Sequence, residues 1–379
     1  MAGAHRKRAL PPEAVRTGTG TAPPPARPVG GPGGGLAGGL VDGRDRYFDA
    51  LRAFALVRVV TYHTFEWPWL GLVFPSMGVM FALAGSLMAR SLERPAGAVI
   101  RSRLRRLLVP LWVFGAVLIV AMVKHGWLPG TDAVYWLLPV GDPPGDAWGE
   151  QAWAVLWYLR TYLWFVLLSP VLLRLFRRAP LPVLLLSLVP VAVFETLRPL
   201  PDGRLGAALG DLSVFLFCWL LGFAHRDGVL DRLRPGPVVG AALPVMALGA
   251  GWAFSHPVDG TYDLDDIPLA QALWSAGFVL LLMRFRPDFG WLGRRPVADR
   301  VVKVFNARAV TVYLWHEAAL MVSVPLIDAM WDIPAFERDL PLGSAWFQFG
   351  IAWVLIAAAV ALFGWVEDVA AKRRPRLLP

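Results

Sequence analysis

An all-α, polytopic transmembrane bundle of about ten spans is the fold this sequence predicts, and three observations predict it. Apolar runs of bilayer-spanning length recur along the chain. Hydrophobic residues fill 56% of the 379 positions against 17% charged, with a mean hydropathy of +0.51, which is more apolar surface than a soluble core of this size can hide. The basic residues are also spread unevenly between successive connections, as the topology of a multi-pass protein requires.

The elements follow in order. Residues 1–44 are Pro- and Gly-rich, carry Arg6, Lys7 and Arg8, and lack the apolar stretch of a signal peptide, so a disordered cytoplasmic tail with no cleavable signal is expected. A membrane domain over 45–370 then holds spans at about 47–67, 69–90, 104–124, 153–174, 180–197, 205–224, 236–255, 268–284, 309–330 and 346–367. Arg90, Arg94, Arg101, Arg103, Arg105 and Arg106 follow the second span, Arg174, Arg177 and Arg178 the fourth, and Arg226, Arg232 and Arg234 the sixth. Arg284, Arg286, Arg294, Arg295, Arg300, Lys303 and Arg308 follow the eighth. The alternate connections carry only Lys124, Arg198, Arg204 and Arg338, and hold Asp132, Asp142, Asp146, Glu150, then Asp259, Asp263, Asp265, Asp266, then Asp332, Glu337, Asp339. Because cytoplasmic connections are the basic ones, both termini are expected in the cytoplasm and the number of spans is even. The long connection at 125–152 is expected to hold a short interfacial helix near Ala133 to Leu138. Lys372, Arg373, Arg374 and Arg376 read as part of a basic cytoplasmic tail over 371–379.

The net charge of +9 therefore describes topology, and no nucleic-acid partner is expected, since the arginines are distributed between apolar segments and not gathered on one soluble face. The single cysteine, Cys218, rules out an internal disulfide and a multi-cysteine metal site. No phosphate-cradling loop or paired metal-ligand motif is present, so neither a bound metal nor a permanent cofactor is expected. Of the eighteen tryptophans, Trp67, Trp69, Trp127, Trp136, Trp148, Trp153 and Trp157 fall where an outer interfacial belt would lie.

Ionisable side chains are costly at membrane depth, so Arg52 and His63 in the first span mark a functional site. Eleven steps of roughly 100° return to within about 20° of the start, which puts the two on one helix face about 16 Å apart along the axis. Asp49 and Glu66 share that sector and Arg58 opposes it, the competing reading being that the carboxylates mark the water interfaces while Arg52 snorkels. In the ninth span His316 and Glu317 are neighbours separated by about 100°, so one is expected to face the bundle centre while the other packs against a neighbouring helix. Leu320 stands where a zinc protease would carry its second histidine, and a structural histidine is the competing account of His316. Asp211 and Arg160, near span ends, either pair with other buried charges or face water.

The run Arg46-Tyr-Phe-Asp49-Ala-Leu-Arg52 through His63 resembles the opening helix of the acyltransferase-3 family of integral membrane O-acyltransferases, which carries an arginine or lysine, ten residues, then a histidine. Phe81-Ala-Leu-Ala-Gly85-Ser resembles the family's second-helix Phe-x-x-Ser-Gly-Phe element, Arg103-Leu-Arg-Arg106-Leu-Leu-Val-Pro110 its arginine pair before a proline, Leu156-Trp157-Tyr158-Leu159 its Trp-Tyr/Phe-Leu element, and Val312-Tyr313-Leu314-Trp315-His316-Glu317 its late Tyr-Leu-x-His element. The likeness runs over about 44–375 and departs at Ala84, where the family has serine, and at Glu317, where an amide is common.

The resemblance implies transfer of an acyl group, commonly acetyl, from cytoplasmic acyl-CoA, a co-substrate, to a hydroxyl-bearing acceptor: a carbohydrate, glycolipid or secondary metabolite, at the cell membrane. On that reading His63 is the base or acyl carrier, with Glu66 and Glu317 as the two carboxylates able to orient it. Arg52 meets the donor's oxygens, with Arg103 and Arg106 at the mouth of the third span holding its phosphates, unless those two serve topology alone. The competing class is a transporter or flippase for a glycolipid or small metabolite, in which the buried charges carry the substrate. No second copy of the Arg52–His63 pattern occurs in the other half of the chain, which favours the enzyme.

Overall fold

A computed structural model describes residues 45–376, so the tail expected over 1–44 and the end of the basic tail, 377–379, lie outside the described residues. The described chain is all-helical, with one isolated bridge between Val258 and Thr261 and no strand. The opening helix, Arg46–Phe65, begins where the Asp45 side chain accepts a hydrogen bond from the Phe48 amide. It stops at Glu66, whose left-handed backbone (φ 48°) turns the chain ahead of Pro68.

Among the described residues seven helices are long and apolar enough to cross a bilayer: Trp69–Ser91, Ala96–Lys124, Leu156–Arg178, Arg204–Arg226, Pro235–Ser255, Ala309–Trp331 and Ala345–Phe363. Three of the ten expected spans fall short, each for a legible reason. The opening helix has the length, 20 residues, but carries Asp49, Arg52 and Arg58. Pro180–Thr196 is two short helices, Pro180–Leu186 and Val189–Thr196, and Pro268–Arg284 has 17 residues. A helix surrounded by protein can be polar or short in a way that a lipid-facing one cannot. The opening helix is such a case, since it packs against Ser76–Ser91, Pro296–Ala307 and Ala309–Trp331.

The centre of the bundle is a crossing of two backbones. A methyl group on Gly85 would sit 2.2 Å from the Trp219 carbonyl oxygen, and one on Gly222 would sit 2.2 Å from the Ala82 oxygen and 2.5 Å from the Ser86 nitrogen. In lipid, where apolar surface gains little by leaving its surroundings, such close packing at small residues is what joins helices. Aromatic rings surround the crossing: Trp219 is fully buried, stacks on Phe165 at 4.9 Å and donates through Nε1 to Ser169 Oγ at 3.0 Å. The Phe81–Ser86 element thus has a packing role to which Gly85 is essential.

The connection at 125–152 does hold short helical turns, Thr131–Ala133 and Val134–Leu137. Two of the tryptophans assigned to an interfacial belt are placed differently. Trp136 is buried, lies against Gly115 and donates to the Pro144 carbonyl at 3.0 Å, while Trp157 stacks on Phe215 at 5.6 Å. Arg160 pairs with Asp142 and with Asp211 at 2.6 Å, which settles that it does not face water.

Replacing Gly222 by valine should separate the crossing helices, at a cost of about 1–3 kcal/mol or more for overpacking. The measurable outcome is a lower thermal midpoint and a loss of monodisperse protein in detergent, whereas Gly236→Val, with nothing near its missing side chain, should leave both unchanged.

Candidate active site

Along the opening helix lie two cavities of opposite character. The first, about 460 Å³, is lined by Arg52, Arg103, Arg106, Tyr158, Tyr313 and Arg373 among others. The second, about 660 Å³, is lined by Arg58, Tyr62, His63, Trp157, Asp211 and Asp265 among others, and again by Tyr313. Among the described residues, Tyr313 is the one that lines both.

The basic cavity is built from segments far apart in sequence. Arg52 Nη1 donates to Asn306 Oδ1 at 2.8 Å, and Asn306 Nδ2 donates in turn to the Asp49 and Val302 carbonyl oxygens, both at 2.8 Å. The Asp49 carboxylate stands 4.0 Å from Arg52. Arg103 is held by Ser91 Oγ at 2.9 Å and Tyr162 OH at 3.2 Å. The charges acting most strongly on Arg106 are Arg103, Arg373, Arg105 and Arg94, all cations, so this side chain is suited to an anion from outside the protein. Arg373 belongs to the run read as a tail. It is brought into the cavity wall because fully buried Arg308 pairs with Asp368 at 2.8 Å and donates to the Arg376 carbonyl at 2.6 Å.

The acidic cavity carries the histidine. His63 Nδ1 lies 3.2 Å from Glu317 Oε2, and its ring centre is 5.0 Å from that of His316. Of the two carboxylates offered by the sequence, Glu317 is therefore the one within ion-pair distance, while Glu66 is exposed and lines a smaller outer cavity of about 290 Å³ that His63 also borders. His316 is buried, with Nδ1 2.6 Å from the Tyr313 carbonyl oxygen. Tyr313 itself donates to the Val155 carbonyl at 2.6 Å and packs 4.9 Å from Tyr158, which fixes the septum between the cavities. On the far wall Tyr62 donates to Asp263 at 2.7 Å and Arg58 approaches Asp265 at 3.7 Å. Burial raises the Asp265 carboxyl above the usual carboxylate range, with Arg58 opposing the shift.

Arg52, Arg103 and Arg106 thus line one cavity, with Asp49 beside Arg52, and His63 lines the other, with Glu317 and His316 beside it. Sequence reasoning missed Asn306 and Arg373, for which no local pattern exists, and the septum role of Tyr313, which lay inside a motif already singled out.

A cation-lined cavity and a histidine-bearing cavity thus meet at Tyr313 among helices apolar enough to cross a bilayer. The acyltransferase domain of the acyltransferase-3 type matches residues 45–366, and the chain belongs to that family. It is a multi-pass membrane acyltransferase, with an acyl donor and an acceptor, and the transporter reading gives way. No curated protein and no solved structure matches it.

The septum yields a test. Tyr313→Ala should join the cavities and admit water to the reacting centre, so that acyl-donor hydrolysis without acceptor rises by about tenfold relative to transfer. Tyr313→Phe keeps the ring and loses only the Val155 bond, worth about 1 kcal/mol, and should keep hydrolysis near the wild-type level. The ratio of free acid to acylated product, measured on purified protein, reads both.

Proposed function

We propose that this enzyme moves an acyl group, commonly acetyl, from cytoplasmic acyl-CoA held in the basic cavity to a hydroxyl of a carbohydrate, glycolipid or secondary metabolite held in the acidic one. The observation that carries the reading is the pair of cavities meeting at Tyr313, with Arg52 in one and His63 in the other. A donor bridging them must be elongated, with anionic groups at the arginines and a reactive carbonyl about 16 Å away. A CoA thioester has that shape and charge. Arg106 and Arg373 meet its phosphates, and Arg52, kept in place by Asn306, meets an oxygen nearer the septum.

Chemistry follows from the histidine. His63 takes the proton of the acceptor hydroxyl as its oxygen attacks the thioester carbonyl; the carbon–sulfur bond breaks, its electron pair leaves on sulfur, and the imidazole returns the proton to the thiolate. Glu317 beside Nδ1 steadies the positive charge that the ring acquires. Trp157, Tyr62, Gln271 and Asp211 line the acceptor side with one aromatic face and several hydrogen-bonding groups, which suits a polyhydroxyl acceptor. The orientation that goes with this reading has both termini in the cytoplasm, an even number of spans and the basic cavity open to the cytoplasm of the cell.

His63→Ala should cut transfer by at least about two orders of magnitude, the usual scale for a general base, with expression and helix content intact. Near-wild-type turnover in that variant would end the mechanism. Arg52→Ala should weaken acyl-CoA binding by about 1.5–3 kcal/mol in a calorimetric titration with a non-hydrolysable analogue, and an unchanged affinity would remove Arg52 from the donor site.

Topology is tested separately with reporter fusions. Those in the connection after Arg284 should read cytoplasmic and those near Gly145 and Asp259 external; the reverse pattern would place the basic cavity on the wrong side for cytoplasmic acyl-CoA.

A further inference from the structure

His63, His316 and Glu317 each bring one ligand atom into a cluster in which all three atoms lie within 4.8 Å of one another. His316 is 1% exposed, and its Nδ1 faces the Tyr313 carbonyl oxygen at 2.6 Å. A carbonyl only accepts, so the ring proton sits on Nδ1 and Nε2 presents a lone pair. That buried Nε2 has no hydrogen-bond partner. Glu317 Oε2 is also buried, and although it lies 3.2 Å from His63 Nδ1 the two are not aligned as a hydrogen bond. One proton on His63 can satisfy one of these two acceptors, leaving the other at a cost of about 1–3 kcal/mol. A cation that takes lone pairs from nitrogen and oxygen together would satisfy all three groups.

We propose that His63, His316 and Glu317 form a binding site for one divalent transition-metal ion of the zinc class. Two imidazoles and a carboxylate are a zinc ligand set that leaves a fourth position open, here toward the acidic cavity that His63 lines. The bond from His316 Nδ1 to a backbone carbonyl is the outer contact that typically fixes a metal-ligating imidazole and directs its other nitrogen at the ion. Tetrahedral coordination at about 2.0–2.1 Å brings ligand atoms to about 3.3 Å from one another, so the cluster must contract. His63, whose side chain is 34% exposed against 12% for Glu317, is the member free to close that distance. With two nitrogens among three ligands the site discriminates against magnesium and calcium, which require oxygen.

The consequence for the enzyme rests on the function proposed above. Coordination through Nδ1, the His63 nitrogen nearest Glu317, leaves the ring proton on Nε2, so a metal-bound His63 has no lone pair with which to accept the acceptor's proton. The ion is therefore an inhibitor that caps the base.

Calorimetric titration of the full detergent-purified chain with zinc chloride, after chelator treatment, tests the site without any enzyme assay. One ion should bind per chain, and His63→Ala and Glu317→Gln should each weaken binding at least about tenfold, while magnesium at a large excess should not compete. His63→Ala, at a partly exposed position, keeps the test open should a change at buried His316 impair folding. Cobalt(II) in place of zinc should give the visible absorption of a four-coordinate ion in wild type and lose it in His63→Ala. Absence of stoichiometric zinc binding, or equal affinity in wild type and both variants, would overturn the proposal. A transfer assay then adds the second arm: zinc should inhibit and a chelator should restore turnover. Site-specific binding without inhibition would leave the metal site standing and remove His63 from its role as base.

Discussion

The cost of an unpartnered charge away from water governs how this bundle is assembled. Arg308 reaches Asp368, Arg160 reaches Asp142 and Asp211, Arg58 approaches Asp265, and Arg52 leans on Asn306. Each pair joins segments distant in sequence, so the polar contacts fasten helices in the way that apolar contacts do in a soluble core. Against that background the incomplete places are informative. The charges acting most strongly on Arg106 are cations, and in the cluster of His63, His316 and Glu317 the buried His316 Nε2 and Glu317 Oε2 have no hydrogen-bond partner. Both lie on cavity walls or beside them.

Much of this was legible in the sequence. The apolar runs fix the helical class, and the eleven-residue interval between Arg52 and His63 fixes their common face. What could not be read was which partner each would find. Glu66 and Glu317 were equivalent candidates beside His63 until the left-handed turn at Glu66 carried that side chain outward, a backbone event with no strong local signature at a glutamate. Span number was obscured for a related reason: hydropathy measures fitness for lipid, and the opening helix, with four charges, is fitted to a protein environment instead. Trp136 shows the same limit on the aromatic side, since a tryptophan in an outer connection reads as an anchor until a glycine on a neighbouring helix makes room for it.

The two cavities divide the labour between charge and shape. The basic one concentrates cations from the opening helix, from Ala96–Lys124 and from Arg373; the acidic one offers an aromatic face and carboxylates around a histidine. Tyr313 belongs to both, and the residue three positions later on its helix is His316, so the septum and part of the histidine cluster are placed by one turn of one helix. Any movement of that turn alters the opening between the cavities and the histidine geometry together.

The clamp on Arg308 has a bearing on biogenesis. Arg52 is translated early and Arg373 late, yet both line the basic cavity, and Arg373 reaches it because Arg308 holds Asp368 and the Arg376 carbonyl. A nascent chain threading into the bilayer therefore has an unfinished basic cavity until residues 368–376 have left the ribosome. Until then the cavity lacks Arg373, one of the cations on its wall.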